Sequence, residues 1–429
     1  MRIGIYLDNW GSPAGGGHSY TKTVVDYFSR VSSNHEFIFI VKSKTKILPE
    51  EYNMVSNYVL YNPIGDAGIK NEQEKYLKSL ERLLKTSNFF IEKLKLTSVT
   101  LVRDKLKAII ESKRIPQKDP ANFRKLIHDH QIKCVYYPAA FTCEDFDIPF
   151  YSTIWDIGHL TISVFPEVSY NGQYDARQNL LNAIAHRAYR IIAESESGKS
   201  DICQYYNTNP DKIVIVPQFP SGLVHLELTN TEVIDILEKF KLMNKKYLFY
   251  PAQFWPHKNH INLIKAMAAL KREGIIFELI FTGSDQGNLE YVMDFLKNEN
   301  LGQEIRYLGF VSDAEMKVLY THAFAMVFPS LLGPTNMPIS EAISCGCPVI
   351  CSDFAGHHEQ TQGAALYIDP KEYLDIKEKI KMVATDEDLR NNMIKKGLEV
   401  SGNNSVEHGF KGLLESFDEF EKIRLCWKN

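Results

Sequence analysis

The chain has 429 residues, 44% of them hydrophobic and 24% charged, with a formal net charge of −4. That length exceeds one ordinary core, so two domains are expected, and the charge balance carries no nucleic-acid character. No apolar stretch reaches the roughly 18 residues of a membrane span, and Met1-Arg2-Ile3-Gly4 leads straight into a strand. Neither a spanning helix nor a signal peptide is therefore expected, and the compartment reads as cytoplasmic. Seven cysteines at irregular spacing argue against a disulfide framework. Cys345, Cys347 and Cys351 lie around an apolar strand without histidines at ligand spacing, so they read as packing and no metal is expected.

In chain order, Arg2 to Leu7 predicts a strand, Asp8 to Gly17 a glycine-rich loop and His18 to Val31 an amphipathic helix. The spacing is not GxGxxG, so no dinucleotide is implied. Gly15, Gly16 and Gly17 would let backbone approach a phosphate or sugar closely, and would equally serve a pliant strand-to-helix connection. Glu36 to Val41 is a second strand. Helical segments over about 66–130 form an insertion, and residues 70–125 hold 15 Lys/Arg against 7 Asp/Glu, with leucines and phenylalanines interleaved. A basic face resting on an anionic leaflet and a solvated face over a domain core are the two readings.

Lys133–Tyr137 and Pro149–Trp155 are further strands. The second runs into Asp156-Ile157-Gly158-His159, a polar cluster at a strand end, where α/β sites fall. His159 reads equally as a site residue and as a capping or core histidine. There follow a helix at Ala176–Ala188, a strand at Tyr189–Ala193 and a helix opened by Ser195 with capping-box chemistry. Ile213–Val216 is a strand, and the proline- and glycine-rich 217–222 suits a hinge.

The second half alternates regularly. Strands at about 247–252, 276–282, 305–308, 324–328 and 348–351 are separated by helices at 260–272, 288–299, 312–321 and 338–345. That alternation predicts a parallel sheet covered on both faces, with functional residues at the strand C-termini. Its centre is 328–352, where Gly333-Pro334-Thr335-Asn336 breaks regular structure and Pro338 opens a short helix that Gly346 stops. The free N–H groups at that helix start make an anion site. Glu341 in its early part either complements the dipole or accepts two hydrogen bonds, as a ribose diol requires. The last helix, Ser405–Lys422, carries Phe410, Leu413, Leu414, Phe417 and Phe420 on one stripe.

Pro329-Ser330, Pro338, Glu341-Ala342, Gly346 and Pro348-Val349-Ile350 fall in the register of a known signature. The stretch resembles the donor site of GT-B glycosyltransferases of family 4, and its Gly-Pro-Thr-Asn loop resembles a subgroup among bacterial surface-polysaccharide enzymes. The signature's first glutamate falls on Gly333. Asp156, His159, Pro166 and Glu167 fit a second family cluster, with Trp155 replacing a further histidine.

The resemblance implies an α/β GT-B fold: two Rossmann-like domains whose parallel sheets face across a cleft. Residues 1–222 would form the acceptor side, 223–405 the nucleotide-sugar side, and 406–429 a helix crossing back. It implies metal-independent, retaining transfer of a hexose from a nucleoside-diphosphate sugar to a glycan or lipid-linked acceptor, without a cofactor. Asp156 and His159 are the catalytic candidates; Gly16, Gly17, Gly283, Gln253, Lys258, Val311, Thr335, Asn336, Met337 and Glu341 are the donor-binding candidates. Within that set Lys258 would clamp the diphosphate, with Gln253 standing where the family has an arginine. Glu341 would hold the ribose, and Thr335 and Asn336 would take over the sugar recognition that Gly333 cannot supply. A catalytically inactive GT-B scaffold or sugar-nucleotide sensor, and a nucleotide-sugar 2-epimerase, are the alternative readings.

Overall fold

The computed structural model describes residues 1–8, 16–43, 55–63, 120–139 and 142–427. Gly15 and nearly all of the basic 70–125 segment lie outside the described residues, and so does the reading of a membrane-facing surface there.

Two all-parallel sheets organise the chain. The first has seven strands: β1 (Arg2–Leu7), β2 (Glu36–Lys42), β3 (Tyr58–Tyr61), β4 (Cys134–Tyr137), β5 (Phe150–Thr153), β6 (Arg190–Ala193) and β7 (Ile213–Ile215). Their order across the sheet is β3-β2-β1-β4-β5-β6-β7. The second has six: β8 (Tyr247–Pro251), β9 (Glu278–Thr282), β10 (Ile305–Tyr307), β11 (Ala325–Phe328), β12 (Val349–Ser352) and β13 (Ala365–Ile368), in the order β10-β9-β8-β11-β12-β13. Most inner strands are nearly unbroken apolar runs, as strands covered on both faces require; Tyr247–Pro251 and Ala325–Phe328 are buried at every residue. Parallel strands place all their C-terminal ends on one edge, and the loops that leave those edges carry the polar residues considered below.

The sequence reading departs from the structure at identifiable points. Gly16 and Gly17 are not loop residues; they form the first turn of the helix Gly16–Arg30. The helix Glu196–Tyr206 has half of the expected capping box: the Ser195 hydroxyl accepts from the Gly198 N–H at 3.0 Å, but glycine at the third position supplies no carboxylate to reach back. Instead Glu359, from the other sheet's side, accepts the Glu196 and Ser197 N–H groups at 2.7 and 2.8 Å. The connection at 217–222 is partly interior, with Phe219 fully buried and stacked on Tyr20 at 5.5 Å between centroids and Gly222 exposed. Helix Ala355–Thr361 and strand β13 were not anticipated.

The last helix, Val406–Arg424, lies on the first sheet. Phe410, Leu413, Phe417 and Phe420 join the core formed by Ile3, Ile5, Val24, Phe28 and Tyr151. The Tyr151 hydroxyl donates to the Ser416 carbonyl at 2.9 Å, and Arg190 pairs with Glu419 at 2.6 Å. The chain thus passes between the halves at 217–222 and again near residue 404, where the Asn404 amide reaches the Gln218 carbonyl at 3.4 Å.

Candidate functional site

The site is built on the loop between β11 and β12. Gly333 has φ +106°, a conformation that side-chain-bearing residues rarely adopt, and a Cβ there would sit 3.1 Å from the Asn336 amide. The backbone conformation and the nearby Asn336 side chain thus both favour glycine at this position. Behind the loop stands helix Ala355–Thr361. Gly356 packs so closely that an added Cβ would lie 2.1 Å from the Pro334 carbonyl oxygen. Gln360 grips the loop backbone: its Oε1 accepts from the Asn336 N–H at 3.3 Å, while its Nε2 donates to the Asn336 carbonyl at 2.8 Å and the Ser340 hydroxyl at 2.7 Å.

Lys258 comes from a short turn, Pro256–Lys258, just before helix His260–Arg272. Its ammonium lies over the Phe328 ring at 5.0 Å and donates to the Asn336 Oδ1 at 3.0 Å. Burial pushes the Lys258 pKa down to about 8, and the carboxylates of Asp156 and Glu167 act against that shift. The sequence candidates Lys258, Asn336 and Asp156 are thus brought together. Asp156 is partly exposed, accepts the Gly158 N–H at 2.8 Å and lies 3.7 Å from Arg177. An added Cβ on Gly158 would meet Leu332 of the β11–β12 loop at 2.6 Å, so the two halves touch here.

His159 lies within reach of the Asp156 charge. It is fully buried, its Nε2 donating to Gln178 Oε1 at 3.1 Å with the Tyr206 hydroxyl nearby, and burial lowers its pKa. Among the described residues its Nδ1 has no hydrogen-bond partner. Glu167 takes the nearer position: it accepts from His257 Nδ1 at 2.5 Å and from the His257 backbone N–H at 3.2 Å. Burial alone would raise the Glu167 pKa, but these bonds override it and hold the carboxyl below its ordinary range.

Other candidates are committed to protein partners. Glu341 is buried, accepting from the Ser221 hydroxyl at 2.5 Å and the Tyr320 hydroxyl at 2.8 Å, and burial raises its pKa. A ribose diol at Glu341 would have to share or displace the Ser221 bond. The Thr335 hydroxyl donates to Glu194 Oε2 at 2.6 Å across the seam between the halves. Asn336 Nδ2 lies 3.0 Å from His357 Nε2 and 3.4 Å from the Gly333 carbonyl, so both ends of the amide are engaged. The Met337 side chain is buried in the first sheet's core cluster. Gln253 ties neighbouring loops together through Ser284 (3.1 Å) and Trp255 (3.0 Å). Gly283, at φ +128°, has no room for a Cβ, which would sit 2.4 Å from the Ala252 carbonyl; its N–H donates to Gly309, two residues before the buried Val311. Among the described residues nothing lies within 4 Å of a Cβ added at Gly16, and six residues on, Lys22 faces Asp313 of the second half at 3.7 Å.

Sequence reasoning missed Glu194, His357 and Gln360. Glu194 is buried beside Thr335 and Asp156, and burial raises its pKa to about 7. A carboxylate directly before a cap serine, after a buried strand, was its only signal. His357 and Gln360 sit on a short helix without a clear apolar period, and nothing local marks them.

Two parallel α/β sheets that meet across a seam of strand-end loops define the GT-B fold. Anabaena HepE, crystallised in complex with UDP and glucose, superposes with a TM-score of 0.66 at 13% identity, covering 98% of this chain and all of that one (100%). Residues 234–400 match the family described as Glycosyl transferases group 1. The chain thus shares the GT-B fold, and its second half is similar to that family. It is 28% identical over 240 residues to O-antigen chain mannosyltransferase B of Escherichia coli, covering 55% of this chain and 63% of the relative. It is 27% identical over 194 residues to O-antigen chain mannosyltransferase RfbU of Salmonella typhimurium, covering 44% and 50%. The match thus spans between half and two thirds of each relative's length.

Proposed function

We propose that the protein transfers a hexose from a nucleoside-diphosphate sugar to a glycan or lipid-linked acceptor in surface-polysaccharide synthesis. The relatives' mannosyl transfer makes mannose the first sugar to try. The observation that carries the reading is the Lys258 ammonium, held by Asn336 beside the start of helix Met337–Ser344, with Asp156 and Glu167 close enough to act on it. A cation and a helix N-terminus side by side suit the two negative groups of a departing diphosphate, and such preorganised charge lowers the barrier without a proton transfer. In this reading the transfer is metal-independent and retaining. Asp156, the partly exposed acid, faces the sugar and acceptor, and Glu341 meets the ribose by exchanging its Ser221 bond. Among the described residues no helix is long and apolar enough to cross a membrane, so a lipid-linked acceptor would be met at a surface.

The test is a thermal-shift screen with UDP-, GDP-, dTDP- and CMP-sugars, followed by transfer assays with the stabilising donor. A ligand at 100 times its Kd should add about 2.7 kcal/mol of stability. Lys258→Met should weaken the nucleoside diphosphate roughly 10- to 150-fold, the range for a lost charged hydrogen bond of about 1.5–3 kcal/mol. Unchanged affinity in that variant would remove the reading. Binding without transfer to any glycan or lipid-linked acceptor would favour a sensor.

A further inference from the structure

The β11–β12 loop has a buried polar chain behind it. His357 is fully buried, and its Nδ1 lies 2.8 Å from the Ser352 carbonyl oxygen. A carbonyl only accepts, so Nδ1 carries the proton. Burial holds the ring pKa down at about 4, which keeps the imidazole neutral and leaves Nε2 as an acceptor. The Asn336 atom 3.0 Å from Nε2 must then be the donating NH₂, and the Asn336 oxygen must point the other way. That way lies Lys258 Nζ, at 3.0 Å. The direction of the amide is thus decided by a histidine on a different helix. A reversed amide would set its carbonyl against the imidazole lone pair and its NH₂ against an ammonium, two repulsions in a poorly solvated space.

We propose that His357 is a positioning residue of the donor site: it fixes the Asn336 amide so that its oxygen aims the Lys258 ammonium. His357 touches no substrate and acts through Asn336. The inference rests on the reading of Lys258 as the diphosphate clamp, and it alters the division of labour expected from the sequence. Asn336 serves the diphosphate through Lys258 rather than the sugar directly.

Titrations on the full chain with UDP, GDP, uridine and guanosine test it, using His357→Leu and His357→Gln. Leucine fills the space without donating or accepting. Glutamine can donate to the Ser352 carbonyl and accept from Asn336 with one amide. We expect His357→Leu to weaken the bound diphosphate about tenfold or more and its nucleoside by no more than about twofold, with His357→Gln within about threefold of the unmodified chain. Equal losses of nucleoside and diphosphate, or a glutamine variant as weak as the leucine one, overturn the proposal. If neither diphosphate binds the unmodified chain, the donor screen above decides the functional reading, and the positioning is decided without ligand. A crystal structure of His357→Leu should then show Lys258 moved off the Asn336 oxygen or the amide turned. An unchanged Lys258–Asn336 contact overturns it.

Discussion

Glu194 and Lys258 are both titratable near neutrality, for the same reason and with opposite consequences. Burial raises the Glu194 pKa from 4.5 to about 7, so the folded protein holds that proton more tightly than the unfolded chain does. Its contribution is complete below pH 4.5 and is lost as pH rises to about 7, on the order of 3 kcal/mol across that window. Glu194→Gln should flatten the pH dependence of urea stability over this range and make the protein more stable at pH 8; an unaltered profile would refute the assignment. Lys258, lowered to about 8, loses its charge above that pH, so kcat/KM for the donor should fall on the alkaline side. Lys258→Arg should abolish that limb, because guanidinium stays charged. The position of Lys258 at a strand end was readable from sequence. Its partner was not, because a side chain's hydrogen-bond direction depends on neighbours that fold in from elsewhere.

The short helix Ala355–Thr361 controls more than its length suggests. Gly356→Ala places a methyl group 2.1 Å from a backbone oxygen, which cannot swing aside, so the helix must shift from the Pro334 turn. We expect a loss of roughly 1–3 kcal/mol together with weakened diphosphate binding, since His357 and Gln360 move with it. Gly333→Glu restores the family's residue but at φ +106° and against Asn336, so a lower Tm without gained activity is expected, with strain of about 1–3 kcal/mol. A more active Gly333→Glu variant would contradict this account. The strands and long helices around the loop were legible because buried parallel strands and amphipathic helices leave strong periodic patterns. Helix Ala355–Thr361, with Gly-His-His-Glu-Gln at its centre, leaves none, and it is a helix because of what it packs against.

Among the described residues several polar contacts join the halves: Glu167 with His257, Glu194 with Thr335, Ser221 with Glu341, and Glu359 with two N–H groups. Each is worth about 1–3 kcal/mol net, so these contacts can open and reform singly. The last helix differs. Removing residues 406–429 takes Phe410, Leu413, Phe417 and Phe420 out of the first core. At about 1.5–3 kcal/mol each, that is roughly 6–12 kcal/mol, comparable to the entire stability of about 5–15 kcal/mol of an ordinary domain. The truncated chain should be insoluble or show only the second half's unfolding transition in calorimetry; a folded first half would disprove the estimate. The phenylalanine stripe was visible in the sequence, but the Met1 ammonium pairing with Glu421 at 2.7 Å, which joins first residue to last helix, was not.

That return of the last helix has a consequence for biosynthesis. A ribosome delivers residues in order, and domains ordinarily close as they emerge, the earlier one first. Here the earlier half receives four of its core side chains from residues 406–424, which are made after the described strands of the later half. Nascent chains stalled with residue 405 just outside the exit tunnel should resist protease over the later half and be digested over the earlier one. Extending them until residue 424 has emerged should protect both. The first-made sheet is thus the one whose core closes later, and until then it is the half exposed to chaperones and proteases.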